Sequence, residues 1–290
     1  MNARLLFILL LFTIGALWYI IGYWRRKAGE AAFAAARLTE KSEERERYCR
    51  LAVMAGHRKA CRMFCLLHPE RFDGHSPHKP FKLRGIRISF YGYYYPSRYN
   101  ALLNDEQKAF CHSIYQFKQG DIHGIEFFKT CMNALQLKKR PYHIMFMPCS
   151  NWIKYGQRFK RLDWYIGKHR QDLTSGLYDV DICDARESLH EAKGGEKRIL
   201  ERNYLITGKI KGKEIIIIDD VLTTGQSVVD YKEEIERCGG KVVAAIFYGK
   251  TLSMPSMLLV QIHVWGNHIA HIIEPVSYTH LRAHETVLDL

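Results

Sequence analysis

The chain has 290 residues, of which 47% are hydrophobic and 25% are charged, a composition typical of one large or two small globular domains. This composition excludes collagen, low-complexity disorder and a polytopic membrane protein. Lysine and arginine number 43 against 30 acidic residues, and the resulting net charge of +13 favours an anionic partner. Eight cysteines without a CxxC pair indicate neither a small disulfide scaffold nor a zinc ribbon.

The first predicted element is a membrane-spanning helix. Leu5–Trp24 is a run of twenty residues without a charge, which is long enough to cross roughly 30 Å of hydrocarbon. Arg4 precedes this run, and Arg25, Arg26 and Lys27 follow it. Basic flanks stay in the cytoplasm, so residues 1–27 are predicted to be a single-pass anchor in the inner (cytoplasmic) membrane, with the body in the cytoplasm. The alternative is a buried helix of a soluble domain.

Residues 28–75 are predicted to be helical. Small and apolar residues recur at helical spacing through Tyr48–Ala60, and Gly56-His57 interrupts them as a turn. This segment resembles one unit of the tetratricopeptide-like helical hairpins. Phe72–Pro80 is rich in Gly, Pro, His and Ser and is predicted to be a linker. Ile86–Tyr95 is an aromatic-rich strand, for which packing is favoured over stacking on a base.

The following residues predict strands that alternate with helices. The predicted helices are Asn104–Gln116, Gly124–Leu137, Trp152–Lys168 and Gln226–Cys238, and the predicted strands are His143–Met147, Tyr178–Cys183, Glu214–Ile218, Lys241–Tyr248 and Leu259–Val264. Fully apolar strands that alternate with helices favour an α/β fold with a parallel sheet covered on both faces.

One segment, Ile215–Ser227, predicts a ligand site. A buried strand delivers Asp219 and Asp220 to its carboxyl end, where open α/β sheets bind ligands. The turn and helix start that follow offer backbone N–H groups and a positive dipole end to a phosphate, together with hydroxyl groups and Gly225. Two adjacent carboxylates suit a ribose diol, or Mg²⁺ reached through water. The alternative interpretation is a polar turn without a ligand.

This segment resembles the phosphoribosylpyrophosphate (PRPP) signature of type I phosphoribosyltransferases at every position. The resemblance implies a Rossmann-like open parallel sheet of the type I phosphoribosyltransferase kind over residues 82–274, preceded by the transmembrane helix and the helical hairpin. It implies that Asp219 and Asp220 contact the ribose hydroxyls and Mg²⁺ that travels with PRPP, without a direct metal site on the protein. It also implies a loop for the 5′-phosphate, formed by Thr223, Thr224, Gly225, Gln226 and Ser227.

Flanking blocks narrow the resemblance to the ComF subgroup, phosphoribosyltransferase-like proteins named for a competence operon. These blocks are Met147–Ser150, Tyr155–Phe159 and Arg202–Tyr204. That subgroup usually begins with a cysteine zinc finger, which this sequence does not have, so its partner specificity is not carried over.

Four residues are candidates for neutralising the leaving pyrophosphate: Ser150, Arg158, Arg186 and Lys193. Gly194-Gly195 is a candidate hinge for a closing loop. Hypoxanthine-guanine enzymes of this family carry an aspartate where Thr223 stands, so the resemblance argues against a 6-oxopurine acceptor and leaves other acceptors open.

The last residues are predicted not to belong to the natural protein. Val276–Thr286 resembles a translated sequencing adapter. Residues 276–290 are therefore interpreted as read-through at the end of a short metagenomic, and hence bacterial, fragment and are left out of the fold.

Three hypotheses follow for the function. The first is a membrane-anchored pentosyltransferase that binds PRPP with Mg²⁺ and transfers the phosphoribosyl group to an unidentified base or amine. The second is a PRPP- or nucleotide-sensing module without turnover, linked to DNA uptake or competence. The third is a membrane-tethered interaction scaffold. The predicted ligand is PRPP or a ribose 5-phosphate nucleotide, and a homodimer and nucleic acid are further candidate partners.

Overall fold

A computed structural model of the chain describes residues 3–122, 124–182 and 203–269. The chain divides into two compact units, one formed by Gly74–Leu252 and the other by the residues before Gly74 and after Leu252. Arg186, Lys193 and the Gly194-Gly195 hinge lie outside the described residues, as does the tail at 276–290.

The first unit is helical. Its helices are α1 (Ala3–Leu38), α2 (Ser42–Met54), α3 (Arg58–Leu67), α4 (Pro69–Asp73) and a later helix that covers residues 257–269. The predicted hairpin is formed by α2 and α3, and His57 caps the start of α3 by accepting a hydrogen bond from the Ala60 N–H at 3.2 Å. Phe33 of α1 stacks on the His57 ring with a centroid distance of 4.4 Å.

The predicted membrane anchor is not supported. Within the described ranges, no helix is long and apolar enough to cross a membrane. Leu5–Trp24 is the first part of α1, which continues without interruption through the basic residues Arg25–Lys27 to Leu38. The later part of α1 packs against the hairpin, because Arg25 donates to the Met54 carbonyl at 3.4 Å and Ala36 is fully buried.

The strand predicted for Leu259–Val264 is wrong, because these residues lie in the helix at 257–269. Val260 and Val264 are buried one helical turn apart, whereas the neighbouring Leu259 and Ile262 are exposed. A short apolar run fits a strand and a helix equally well when only its hydrophobicity is considered.

The second unit is the predicted α/β fold. Its described strands are β1 (Phe81–Leu83), β2 (Ile86–Tyr94), β3 (Tyr142–Phe146), β4 (Leu173–Ser175), β5 (Val180–Ile182), β6 (Tyr204–Ile206), β7 (Glu214–Leu222) and β8 (Lys241–Thr251). In these residues a six-stranded sheet has the order β1-β2-β8-β7-β3-β4, parallel except for β1, and β5 pairs with β6 as a separate antiparallel ribbon. The mostly parallel sheet confirms the α/β part of the predicted fold class.

Helices connect the strands of this unit. They are a 3₁₀ helix (Ser97–Leu102), α5 (Asp105–Gln119), α6 (Ile125–Leu135), α7 (Trp152–His169) and α8 (Gln226–Arg237). The chain passes from β3 through α7 to β4 at one edge, and from β7 through α8 to β8 in the opposite direction. The strand order therefore reverses between β3 and β7, and the crevice outside their carboxyl ends is where such sheets bind ligands.

Helix α5 crosses the sheet near this crevice. Gly92 of β2, Gly249 of β8 and Val221 of β7 lie in one register row. A Cβ on Gly92 would lie 2.5 Å from the Phe110 ring, and one on Gly249 would lie 2.6 Å from Ile114. Positions 110, 114 and 118 share one face of a helix. Helix α5 therefore crosses β2 at Phe110 and β8 at Ile114, and Lys118 lies at β7.

Candidate active site

The two predicted acids lie at the carboxyl end of β7. The preceding residues Ile215–Ile218 are fully buried between β3 and β8, which explains the continuous β-branched run. Asp219 Oδ1 accepts a hydrogen bond from the Asp220 backbone N–H at 2.7 Å. The side chains of Asp219 and Asp220 are only 17% and 9% exposed, so their negative charges need partners.

Two cations provide these partners. Arg158 Nη1 of α7 lies 2.7 Å from Asp220 Oδ2 and 3.7 Å from Asp219 Oδ1. Lys118 Nζ of α5 lies 3.4 Å from Asp220 Oδ2. The arrangement brings two carboxylates and two cations together at the crevice, so the charges of the acid pair are largely balanced before any ligand binds.

Burial nevertheless shifts the titration of this cluster. Burial and the charge of Asp220 raise the pKa of Asp219 to about 7, against the opposing effects of Arg158, the Asp220 N–H and Lys118. Burial disfavours the charge of Arg158, but Asp220, Cys149 and Asp219 outweigh it and raise the pKa of Arg158. Asp219 therefore gains or loses a proton near neutral pH, while Arg158 stays charged.

The predicted phosphate loop follows directly and is open. Thr223, Thr224, Gln226 and Ser227 are exposed, and Gly225 is buried at the start of α8. Gly225 has φ of +78°, and a Cβ there would lie 2.3 Å from Leu83 Cδ2, so any other residue would be strained in its backbone and would displace Leu83. The N-cap residue Gly225 makes no side-chain cap, and the Gln226 N–H donates to Thr224 Oγ1 at the long distance of 3.4 Å. Backbone N–H groups at a helix start are a site where an anion binds.

The side chain of Gln226 is already engaged by its neighbours. It donates to Asp230 Oδ1 at 2.6 Å and accepts from Arg84 Nη1 at 2.6 Å. Arg84 belongs to the turn between β1 and β2 and has φ of +46°. The geometry therefore gives Gln226 a role through its backbone and brings a further cation, Arg84, to the phosphate loop.

The loop after β3 faces the acid pair across the crevice. The Met147 N–H donates to the Ile218 carbonyl at 2.9 Å, which extends the pairing of β3 with β7. Asn203 Nδ2 donates to the Cys149 carbonyl at 3.1 Å. The described parts of the three flanking sequence blocks thus meet at one place, because Cys149, Arg158 and Asn203 belong to different blocks. Burial raises the pKa of the Cys149 thiol to about 12, which favours its protonated form at neutral pH.

The structure brings some of the pyrophosphate candidates to the crevice. Half-buried Ser150 lies in the loop after β3. Arg158 is present too, but its guanidinium contacts the acid pair instead of projecting into the crevice. Lys118 and Arg84 were not predicted. No local sequence pattern marks Lys118, because its position depends on how α5 crosses the strands.

The sheet, the acid pair and the exposed helix start together define an α/β protein with a candidate site at the carboxyl ends of its parallel strands. Residues 171–252 match the family model described as the phosphoribosyl transferase domain, a range that includes the acid pair and the phosphate loop. The orotate phosphoribosyltransferase of Sulfolobus acidocaldarius is 42% identical over 57 residues, which are 19% of this chain and 26% of that protein. The chain thus spans about a quarter of the length of this curated relative.

Proposed function

We propose that this protein is a phosphoribosyltransferase that binds PRPP across the carboxyl ends of β3 and β7. The observation that carries the proposal is the placement of an acid pair and an exposed helix start side by side at the reversal of strand order. The match of residues 171–252 to the phosphoribosyl transferase domain supports it.

In this proposal each part of β7–α8 binds one part of the sugar phosphate. The first N–H groups of α8 and the hydroxyls of Thr223, Thr224 and Ser227 hold the 5′-phosphate. Asp219 and Asp220 accept hydrogen bonds from the ribose hydroxyls. The sugar is thereby fixed at both ends, and its anomeric carbon is held in the crevice.

The cations act on the leaving group. The bond between the anomeric carbon and the pyrophosphate oxygen breaks, its electron pair leaves with pyrophosphate, and the acceptor forms the new bond to the same carbon. Ribose hydroxyls replace Arg158 and Lys118 as partners of the acids, so both cations become available to the pyrophosphate charge. Ser150 donates a hydrogen bond from the opposite loop.

The residues present fit Mg²⁺ that arrives with PRPP better than a metal held by the protein alone. Within the described residues no group of three or more metal-ligating side chains occurs, and both carboxylates contact a cation. Magnesium prefers octahedral oxygen coordination, so most of its ligands would come from pyrophosphate, ribose and water. When bound, it supplies positive charge to the leaving group.

Calorimetric titration of the full chain with PRPP and Mg²⁺ tests the proposal. The double variant Asp219→Asn, Asp220→Asn should lose at least about a hundredfold in affinity, because both ribose contacts lose their charge. Asp172→Asn is the matched control, since Asp172 is exposed, pairs with Arg170 and directly precedes β4 at its amino end. Unchanged affinity in the double variant would place PRPP elsewhere, and no binding to the unaltered chain would leave the interaction-scaffold hypothesis.

One observation favours a second candidate, a sensing module without turnover. The acid pair is already balanced by Arg158 and Lys118, so ligand binding exchanges one set of ionic contacts for another and can change the position of α5 and α7. Pyrophosphate release in the presence of PRPP and a panel of bases distinguishes the two candidates. An enzyme releases it with at least one base, whereas a sensor binds PRPP and releases none.

The remaining expectations from the sequence stay predictions. They are the ComF-like grouping, the cytoplasmic location, the homodimer and the contact with nucleic acid.

A further inference from the structure

The two-stranded ribbon of β5 and β6 contacts the loop after β3, on the pyrophosphate side of the proposed site. Asn203, which directly precedes β6, is buried and donates to the Cys149 carbonyl at 3.1 Å. The next residue in the chain is Ser150, to which the proposed function assigns a hydrogen bond to pyrophosphate. The position of this loop therefore depends on the position of the ribbon.

The ribbon is too short to fix its own position. Its strands pair over only three residues each, Val180–Ile182 with Tyr204–Ile206, and an isolated two-stranded ribbon is marginally stable in water. The Tyr204 ring contacts α8, because its centroid lies 5.4 Å from that of Tyr231. This contact lies beside Asn203, so the opposite end of the ribbon, where β5 begins and β6 ends, needs a separate attachment.

Asp179 provides that attachment, directly before β5. Its carbonyl accepts hydrogen bonds from the Thr207 and Gly208 N–H groups at 2.9 and 3.1 Å, so it joins the two ends of the ribbon. Its carboxylate Oδ2 lies 2.6 Å from His143 Nε2. Because His143 belongs to β3, the Asp179–His143 pair attaches the ribbon to the same strand that leads into the Cys149 loop.

Both ring nitrogens of His143 make hydrogen bonds, and its side chain is only 3% exposed. Burial and the charge of Lys213 lower the pKa of His143, against the opposing effect of Asp179, so the ring carries one proton at neutral pH. A carboxylate only accepts hydrogen bonds, which places that proton on Nε2. The Thr174 hydroxyl then donates to Nδ1 at 2.7 Å. The ring is thereby fixed with its N–H toward Asp179.

Two glycines allow the pair to form. A Cβ on Gly176 would lie 2.6 Å from His143 Nε2, and a Cβ on Gly208 would lie 2.1 Å from Asp179 Cγ. A side chain at either position would displace one member of the pair. The backbone on both sides therefore fits the pair closely, which limits how far this end of the ribbon can shift.

We propose that Asp179 and His143 are positioning residues for the pyrophosphate half of the site. The inference rests on the proposed function. Through the ribbon, the pair holds Asn203 against the Cys149 carbonyl and keeps Ser150 where pyrophosphate binds. Neither member of the pair contacts PRPP itself, and the phosphate loop at the start of α8 does not depend on them.

Two ligands test this division of the site, because PRPP carries a pyrophosphate group and ribose 5-phosphate does not. Calorimetric titration of the full chain with each ligand and Mg²⁺ measures both affinities. Asp179→Ala removes the carboxylate but keeps the backbone contacts of this residue. It should lower PRPP affinity at least about tenfold and ribose 5-phosphate affinity less than about threefold. Asp179→Asn keeps an acceptor for the His143 N–H and should restore most of the PRPP affinity.

A double variant tests whether Asp179 acts through Asn203. Asn203→Ala should lower PRPP affinity by a similar factor, and combining it with Asp179→Ala should cost little more than either change alone, since both release the same loop. The matched control is Tyr142→Phe. Tyr142 is buried next to His143 on β3 and donates to the Lys138 carbonyl at 3.0 Å, away from the ribbon. This variant should leave both affinities unchanged.

Equal losses for the two ligands in Asp179→Ala would overturn the inference, because the pair would then only stabilise the fold. Unchanged PRPP affinity, losses that add in the double variant, or an unaltered chain that binds PRPP but not ribose 5-phosphate would overturn it as well. In each of these cases PRPP still binds the unaltered chain, so the proposed function stands. If the unaltered chain does not bind PRPP, the proposed function fails instead.

Discussion

The acid pair and the phosphate loop are consecutive in sequence but differ in how their polar groups are satisfied. Asp219 and Asp220 are mostly buried and contact Arg158 and Lys118 from two different helices. The loop Thr223–Ser227 is mostly exposed, and its Gly225 makes no side-chain cap to the helix that follows. The charges of the acid pair are therefore balanced by cations of the protein itself, whereas the phosphate loop is accessible to a ligand.

This difference indicates how binding proceeds. An anion that binds at the start of α8 competes with a long hydrogen bond, from the Gln226 N–H to Thr224 Oγ1 at 3.4 Å, rather than with an ion pair. The acid pair can bind a sugar only if ribose hydroxyls replace its cations. We therefore expect the loop to provide the initial affinity, and the acid pair to couple sugar binding to the positions of α5 and α7.

The largest expected effect concerns the ion pairs between the two acids and Arg158. Arg158→Gln should lower the free energy of unfolding by about 3 kcal/mol, because it leaves two poorly exposed carboxylates with Lys118 alone. Urea denaturation measures the change. Arg161→Gln is the matched control on the same helix, since Arg161 is exposed and donates to the Asp121 carbonyl. Equal, small effects of both variants would mean that the acid pair is solvated rather than balanced by Arg158.

Some parts of the candidate site could be predicted from the sequence and others could not. Strand β7 and the phosphate loop were predictable, because a buried strand, a helix start and the required glycine are all encoded within Ile215–Ser227. Lys118 and Arg84 could not be found in this way. Lys118 reaches Asp220 because Gly92 and Gly249 let α5 cross β2 and β8 closely, and this contact depends on strand order.

Apolar runs show a second limit of sequence reasoning. Ile215–Ile218 was correctly predicted as a buried strand, whereas Leu259–Val264 was assigned to a strand and lies in a helix. Both runs are apolar, but in the helix only residues one turn apart, Val260 and Val264, are buried, whereas every residue of Ile215–Ile218 is buried. Similarly, Leu5–Trp24 suggested a separate membrane span, but its helix continues into the packed hairpin through Phe33.

The next effect concerns the shape of the open loop. Gly225→Ala places a Cβ 2.3 Å from Leu83 in a residue with φ of +78°, so it should cost about 2 kcal/mol of stability and lower PRPP affinity about tenfold. Gly212→Ala is the matched control, since Gly212 has φ of +76° and open space around it. It should cost only the conformational part, about 1 kcal/mol. Equal costs would show that the contact with Leu83 does not matter.

The raised pKa of Asp219, about 7 against an ordinary 3.8, makes stability depend on pH. Between pH 4 and pH 7 the folded chain keeps a proton that the unfolded chain has released, so Asp219 favours unfolding as the pH rises through this window. Asp219→Asn removes that slope. Denaturation at pH 5 and pH 8 should therefore show the variant gaining about 2 kcal/mol relative to the unaltered chain at the higher pH.

Asp172→Asn provides the control for this titration. Its hydrogen bond to Arg170 lowers the pKa of Asp172, so its contribution to stability is lost only below that window. The difference between Asp172→Asn and the unaltered chain should stay constant from pH 5 to pH 8. If Asp219→Asn behaves in the same way, the carboxyl of Asp219 is ionised throughout, and the cations outweigh its burial.

The smallest effect concerns a single hydroxyl of the open loop. Ser227 is exposed in the first turn of α8, so Ser227→Ala should leave the free energy of unfolding within about 0.5 kcal/mol of its original value. PRPP affinity should fall only about fivefold, because one hydroxyl donor is lost while the backbone N–H groups remain. Calorimetric titration measures the change. A loss above about a hundredfold would show that binding of the 5′-phosphate depends on side-chain hydroxyls rather than on the backbone N–H groups of α8. The exposed backbone of the phosphate loop would then not explain how this loop differs from the acid pair.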